Sequence, residues 1–263
     1  MPLRKLEPAF HGRVWGTASL DPWFPDAPAQ ESGLPIGEVW FEAPDVPLLV
    51  KFLFTEKDLS VQVHPDDDYA RLHHSSPGKT EMWQVLAAKK GAKIAAGFRE
   101  PVSRQQVRAA ALDGTILSLM EWFEARPGDT FFIPAGTVHA IGAGLTICEI
   151  QQPSDVTYRL FDYGRGRELH LDRSLAVSHL GPHSARGGAR VVSPHFVTES
   201  LEVAGRRPLA PSSQNELLIA IEGEGEIAGQ RIHKGDVFLL TVNPDIIEIA
   251  GTLRLVRAAS PRT

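Results

Sequence analysis

Short apolar runs set off by glycine and proline constrain this chain more than any other feature. The runs PLLVKFLF (47–54), LSVQVH (59–64), EMWQVLAA (81–88), AKIAAGF (92–98), DTFFIPA (129–135), LTICEIQQ (145–152) and TYRLFDY (157–163) are all brief and bounded by turn residues. Runs of that length at that spacing predict the strands of an all-β sandwich or barrel. The punctuation extends through the chain, with 23 glycines and 20 prolines in 263 residues. Helices are predicted to be few. SRQQVRAAALDG (103–114) has Ser103 and Gln106 at capping-box spacing and Gly114 as a stop. PDDDYARLHH (65–74) is the second, with Pro65 at its opening and acidic residues in its first turn.

One β-unit recurs in degenerate form. EMWQVLAAKKGAKI aligns with ELLIAIEGEGEI, setting Glu81 against Glu216, and PGDTFFIPAGTVHAI aligns with KGDVFLLTVNPDIIEI, setting Gly128-Asp129 against Gly235-Asp236. The expected organisation is a first β domain over 1–163, a connector with one short helical turn over 164–194, and a smaller β domain over 195–263. The second copy has no histidine where the first has His139 and nothing like QVH before Glu216, so it is expected to be structural and without metal.

The bulk composition excludes several classes of function. A net charge of -5 provides no broad basic face for nucleic acid. A single cysteine, Cys148, rules out an intrachain disulfide framework and a multi-thiolate zinc site. No run of about 18 apolar residues occurs and the amino terminus lacks an apolar core region, so no membrane association is expected and the cytoplasm is the default location.

The stretch LSVQVHPDDDYA places Gln62 and His64 two apart on one strand, on the same face and roughly 7 Å apart at the base. Such a pair is either hydrogen-bonded under a loop or half of a metal site. The spacing of glycine, five residues, then Pro-x-Gly-x-x-His in GDTFFIPAGTVH resembles the second signature of the cupin superfamily. Gln62-x-His64 followed by Glu81 is the counterpart of the first signature. The predicted centre therefore gathers His64, Glu81 and His139, with Gln62 either a direct ligand or a hydrogen-bonding support. Nitrogen and oxygen donors with an open position suit one Zn2+ per chain, and Fe2+, Mn2+, Co2+ or Ni2+ also fit. No role is predicted for His73, His74, His170 or His183.

LSVQVHPDDDYA, GKTEMW, PAGTVHAIG, EIQQPSDVTYRLFDYGR and RELH together resemble the type I mannose-6-phosphate isomerases in their short bacterial form, and VWG and GEVW near the amino terminus add to the likeness. The resemblance runs from about residue 10 to 172 and weakens beyond. It implies a mainly β, cupin-type (jelly-roll) barrel and a zinc enzyme interconverting mannose 6-phosphate and fructose 6-phosphate, with a hexose phosphate as its small-molecule partner. It implies Arg159 and Lys79 as active-site cations, the lysine in proton transfer or phosphate holding. Ser60 falls at a phosphate contact and Glu149 near the sugar. Ile141 stands where longer relatives carry a tyrosine, their helical domain is missing, and Thr17 follows VWG in place of a common glycine.

Aldose–ketose isomerisation proceeds through an enediol and requires a base at carbon and stabilisation of charge on the carbonyl oxygen. Metal-bound hydroxide, Lys79 with a lowered pKa, and Glu149 are the candidate bases. The rival readings are an iron-dependent cupin oxygenase and a non-catalytic sugar-phosphate binder.

Overall fold

The computed structural model describes residues 3–242 and 245–261. It divides into two compact units, residues 53–187 and residues 1–52 with 188–263.

The unit 53–187 is built on two antiparallel sheets. One is five-stranded in the order Tyr158–Phe161, Val61–Val63, His139–Ile141, Lys93–Phe98 and Met120–Glu124. The other sets Arg186–Gly187, Thr130–Ile133, Glu81–Ala88 and Leu145–Gln151 side by side and continues to Leu49–Thr55, the strand on which the chain enters the unit.

Strand alternation assigns the faces of the five-stranded sheet. Val61, Val63, Ala140, Tyr158 and Leu160 pack in one cluster with Val107, Ala110 and Ala111 of the helix Arg104–Asp113 and Leu175 of the helix Leu171–Val177. The residues between them, Gln62, His139 and Arg159, therefore turn to the opposite face. Gln62 is the register partner of both His139 and Arg159, so three polar side chains from adjacent strands stand abreast.

The helix Arg104–Asp113 has the predicted capping box. Ser103 Oγ accepts from the Gln106 N–H at 3.2 Å, Gln106 Oε1 accepts from the Ser103 N–H at 2.8 Å, and Gly114 ends the helix at φ 84°. The second predicted helix, Asp67–His74, begins later than its sequence suggests. Asp66 is its cap, accepting from the Tyr69 N–H at 2.9 Å, which leaves Pro65 outside. The Pro65 carbonyl instead accepts from the Lys79 N–H at 3.1 Å, and Asp67 Oδ1 accepts from the Gly78 N–H at 2.8 Å. A Cβ at position 78 would come within 2.6 Å of the Asp66 and Asp67 backbone. Only glycine permits this approach, which carries the chain into Lys79 and Glu81.

The other unit holds an antiparallel sheet in the order Leu3–Lys5, Val237–Leu240, Glu216–Ile227, Ile247–Ala259, Val197–Leu209 and Arg190–Val192, with Gln230–His233 paired to Glu216–Ile227. Ala9–Thr17 pairs with Ile36–Glu42. The division differs from the boundaries at 163 and 194. Leu3 pairs with Leu240 and is buried with Leu201, Leu218 and Leu255, so the amino-terminal segment groups with the carboxy-terminal sheet. The predicted connector contains the helix Leu171–Val177, which packs into the unit 53–187.

The degenerate repeat has a common backbone. The Val85 N–H donates to the Asp129 carbonyl at 2.9 Å and the Gly128 N–H to the Val85 carbonyl at 2.9 Å. At the aligned positions the Ala220 N–H donates to Asp236 at 2.8 Å and the Gly235 N–H to Ala220 at 2.7 Å. Gly128 and Gly235 share a φ of 93°, where glycine is favoured. Glu81 stands opposite Ile133 and Gln151, and Glu216 opposite Leu240 and Ala259. Their surroundings differ. Glu149 faces Trp83 in the first copy, whereas Arg257 faces Leu218 in the second and grips Glu216 through two hydrogen bonds of 2.7 and 2.8 Å. A guanidinium thus neutralises the carboxylate that lies beside imidazoles in the first copy.

Candidate metal centre

His64, Glu81 and His139 offer one donor atom each within 4.8 Å of one another, all from fully buried side chains. His139 belongs to the five-stranded sheet, with His64 just past the end of its strand Val61–Val63, and Glu81 opens a strand of the other sheet. His64 Nε2 lies 3.0 Å from Glu81 Oε1, and the two imidazole centroids are 4.9 Å apart.

The backbone aims both imidazoles. His64 Nδ1 is 2.9 Å from the Val156 carbonyl oxygen and His139 Nδ1 is 2.9 Å from that of Thr137. A carbonyl only accepts, so each Nδ1 carries the hydrogen and donates, leaving a lone pair on each Nε2. That is the orientation metal-binding histidines adopt. Both rings are held neutral. Burial lowers the His64 pKa with help from Lys79, and burial with the nearby His64 pushes His139 down to about 3. Burial opposes ionisation of Glu81, but Lys79 and His64 outweigh it and hold the carboxyl well below its usual range. Two neutral imidazoles and a carboxylate are a donor set that fits a divalent cation.

Gln62 adjoins this group. Its Nε2 lies 3.3 Å from His139 Nε2, and its Oε1 accepts from Ser60 Oγ at 3.3 Å. Turning the amide over exchanges these atoms, so the same side chain can present its oxygen to the centre.

Lys79 is buried, with Nζ 3.1 Å from His64 Nε2 and hydrogen-bonded to Glu81 Oε1. Burial acts to lower its pKa, yet Glu81, Glu149 and Asp155 raise it above the ordinary ammonium value. The protein's own charges thus work against the lowered pKa expected of Lys79 as a base. Among the protein's own groups, Lys79 is a persistent cation and a hydrogen-bond donor.

Arg159 is clamped by a segment to which sequence reasoning assigned no role. Its N–H donates to His170 Nδ1 at 3.1 Å, its carbonyl accepts from the His170 N–H at 2.8 Å, and its Nη1 donates to the Glu168 carbonyl at 2.8 Å. Arg159 Nε is buried and has no hydrogen-bond partner among the described residues. Nearby, the buried Asp162 carboxylate accepts from Arg165 Nη2 at 2.6 Å and from Arg167 Nε at 2.7 Å, fixing the loop between Arg159 and His170.

Trp83 also escaped the sequence reading. Its indole N–H is 2.9 Å from Glu81 Oε2 and 2.8 Å from Glu149 Oε2, and its ring meets that of His139 edge-on at 5.3 Å. The available signal was its position two residues after Glu81, hence on the same strand face.

Paired antiparallel sheets that bring imidazoles from one side and a carboxylate from the other to a common point define a cupin with a metal-binding centre. The comparisons with known proteins narrow this. No family model matches the chain. The Bacillus subtilis protein GmuF, described as a probable mannose-6-phosphate isomerase, is 32% identical, with 94% of this chain and 96% of that protein covered. The mannose-6-phosphate isomerase of Streptococcus mutans is 32% identical over 87% of this chain and 81% of its own. A crystal structure of the mannose 6-phosphate isomerase from Bacillus subtilis superposes with a TM-score of 0.85 at 26% identity, covering 97% of this chain and 98% of that one. The chain belongs to the mannose-6-phosphate isomerase family.

Proposed function

We propose that the chain interconverts mannose 6-phosphate and fructose 6-phosphate, with one Zn2+ per chain held by His64, Glu81, His139 and Gln62. The observation that carries this reading is the convergence of three buried donors within 4.8 Å, both imidazoles presenting an Nε2 lone pair. The named activities of the relatives support the substrate pair. A divalent cation in such a set polarises a carbonyl and orients the adjacent oxygens of an open-chain sugar.

In the forward direction a base takes the C2 proton of the aldose while the carbonyl oxygen on C1 gains a proton, giving the enediol. The base then returns a proton to C1 as the hydroxyl on C2 gives up its own and becomes the carbonyl. Lys79 now hydrogen-bonds Glu81 Oε1 and lies by His64 Nε2; with those atoms on a cation, its ammonium would turn its hydrogens to a developing oxyanion beside them. Arg159 remains charged and its buried Nε–H needs an acceptor, which an enediolate oxygen or the phosphate supplies. Ser60, whose Oγ donates to Gln62 Oε1, is assigned to the phosphate and Glu149 to the sugar on the family likeness. A cytoplasmic setting accords with the single, buried, unpaired Cys148.

A coupled assay of fructose 6-phosphate formation tests the proposal. Turnover of mannose 6-phosphate is expected to disappear with a chelator and return with zinc. Hexose-phosphate binding without turnover in zinc-replete protein would contradict it.

A further inference from the structure

We infer that Trp83 is a positioning residue that sets the orientation of Glu81 and steadies His139. The inference rests on the metal-centre reading above. An indole has one hydrogen to donate and no acceptor, so the contacts of Trp83 Nε1 with Glu81 Oε2 and Glu149 Oε2 form a shared hydrogen bond between two carboxylates. All three side chains are buried, and Trp83 is fully enclosed.

The shared bond has a directional consequence. With Oε2 tied to the indole, Glu81 can turn only Oε1 toward His64, the oxygen that stands 3.0 Å from His64 Nε2. Without the N–H, Glu81 is held only through Oε1 by Lys79, and Oε2 loses the indole that fixes the plane of the carboxylate and links it to Glu149. The edge of the same indole meets the His139 ring. One side chain therefore braces two of the three donors from separate sheets. Glu149, its register partner across the strand pair, supplies the second acceptor that fixes the indole.

Trp83→Phe removes the N–H and keeps an aromatic ring in place. Zinc affinity measured by competition with a chromogenic chelator is expected to fall 10- to 100-fold, the range seen when a group supporting a metal ligand is lost. The circular dichroism spectrum is expected to stay unchanged. Affinity within about twofold of the parent in a folded variant would overturn the inference, since by that scale the N–H would not orient a ligand.

Should Trp83→Phe fail to fold, the parent protein decides the matter by 15N–1H spectroscopy. The indole resonance with cross-peaks to the His139 ring is expected to shift on addition of one equivalent of zinc, and an unmoved resonance overturns the inference. Parent protein that binds no zinc would remove the metal centre itself. Tight parent binding that Trp83→Phe leaves intact removes only the role given to Trp83.

Discussion

Glu81→Gln is expected to lower zinc affinity by at least about 100-fold and to bring isomerase activity to background, because it removes the one anionic donor of the centre. The amide keeps the size of the side chain but carries no charge to offset a divalent cation. The substitution has a second consequence. Lys79 is buried against Glu81 and would lose the counter-charge that most supports its ammonium. Stranding one partner of a buried pair costs about 3 kcal/mol or more, so chemical denaturation should show reduced stability alongside the lost metal. Adding Lys79→Met removes the stranded ammonium and should return part of that stability while leaving zinc binding absent. Full zinc affinity in Glu81→Gln would show that the carboxylate is not a ligand.

Arg159→Lys is expected to reduce kcat/KM by about 100-fold with zinc content and melting temperature nearly unchanged, on the scale of losing one donor to a developing anion. The charge is retained in this variant. What is lost is the planar fork and its buried Nε–H, which has no acceptor among the described protein groups. The backbone of Arg159 is held by the N–H and ring of His170 independently of the side chain, so the strand should not move. Activity and metal content measured on the same sample check this, and activity within a few-fold of the parent would place Arg159 outside the chemistry.

The residues of the metal centre were legible in the sequence chiefly because their spacing resembles the two cupin signatures. Strand geometry, with its period of two, gives that spacing a physical reason. Gln62 and His64 had to share a face, and the Pro-x-Gly turn fixed where His139 would enter its strand. The turn glycines at 128 and 235 made the repeat visible because a left-handed backbone position permits few substitutes. Other features left no pattern to find. A three-residue strand such as Leu3–Lys5 has no periodicity, so its pairing with Val237–Leu240 could not be anticipated. The His170 clamp on Arg159 joins a ring nitrogen and the backbone across a loop, a contact that residue spacing does not encode. Trp83 stood in the sequence only as part of GKTEMW with no role of its own, and the carboxylates on both sides of its N–H are what single it out.

The central claim is that three backbone segments deliver His64, Glu81 and His139 to one cation. An anomalous difference map from zinc-loaded crystals, recorded on either side of the zinc edge, tests it directly. The account expects one strong peak per chain in contact with His64 Nε2, Glu81 Oε1 and His139 Nε2. Zinc-dependent protein with its peak elsewhere, or with any of those atoms outside coordination distance, would contradict it.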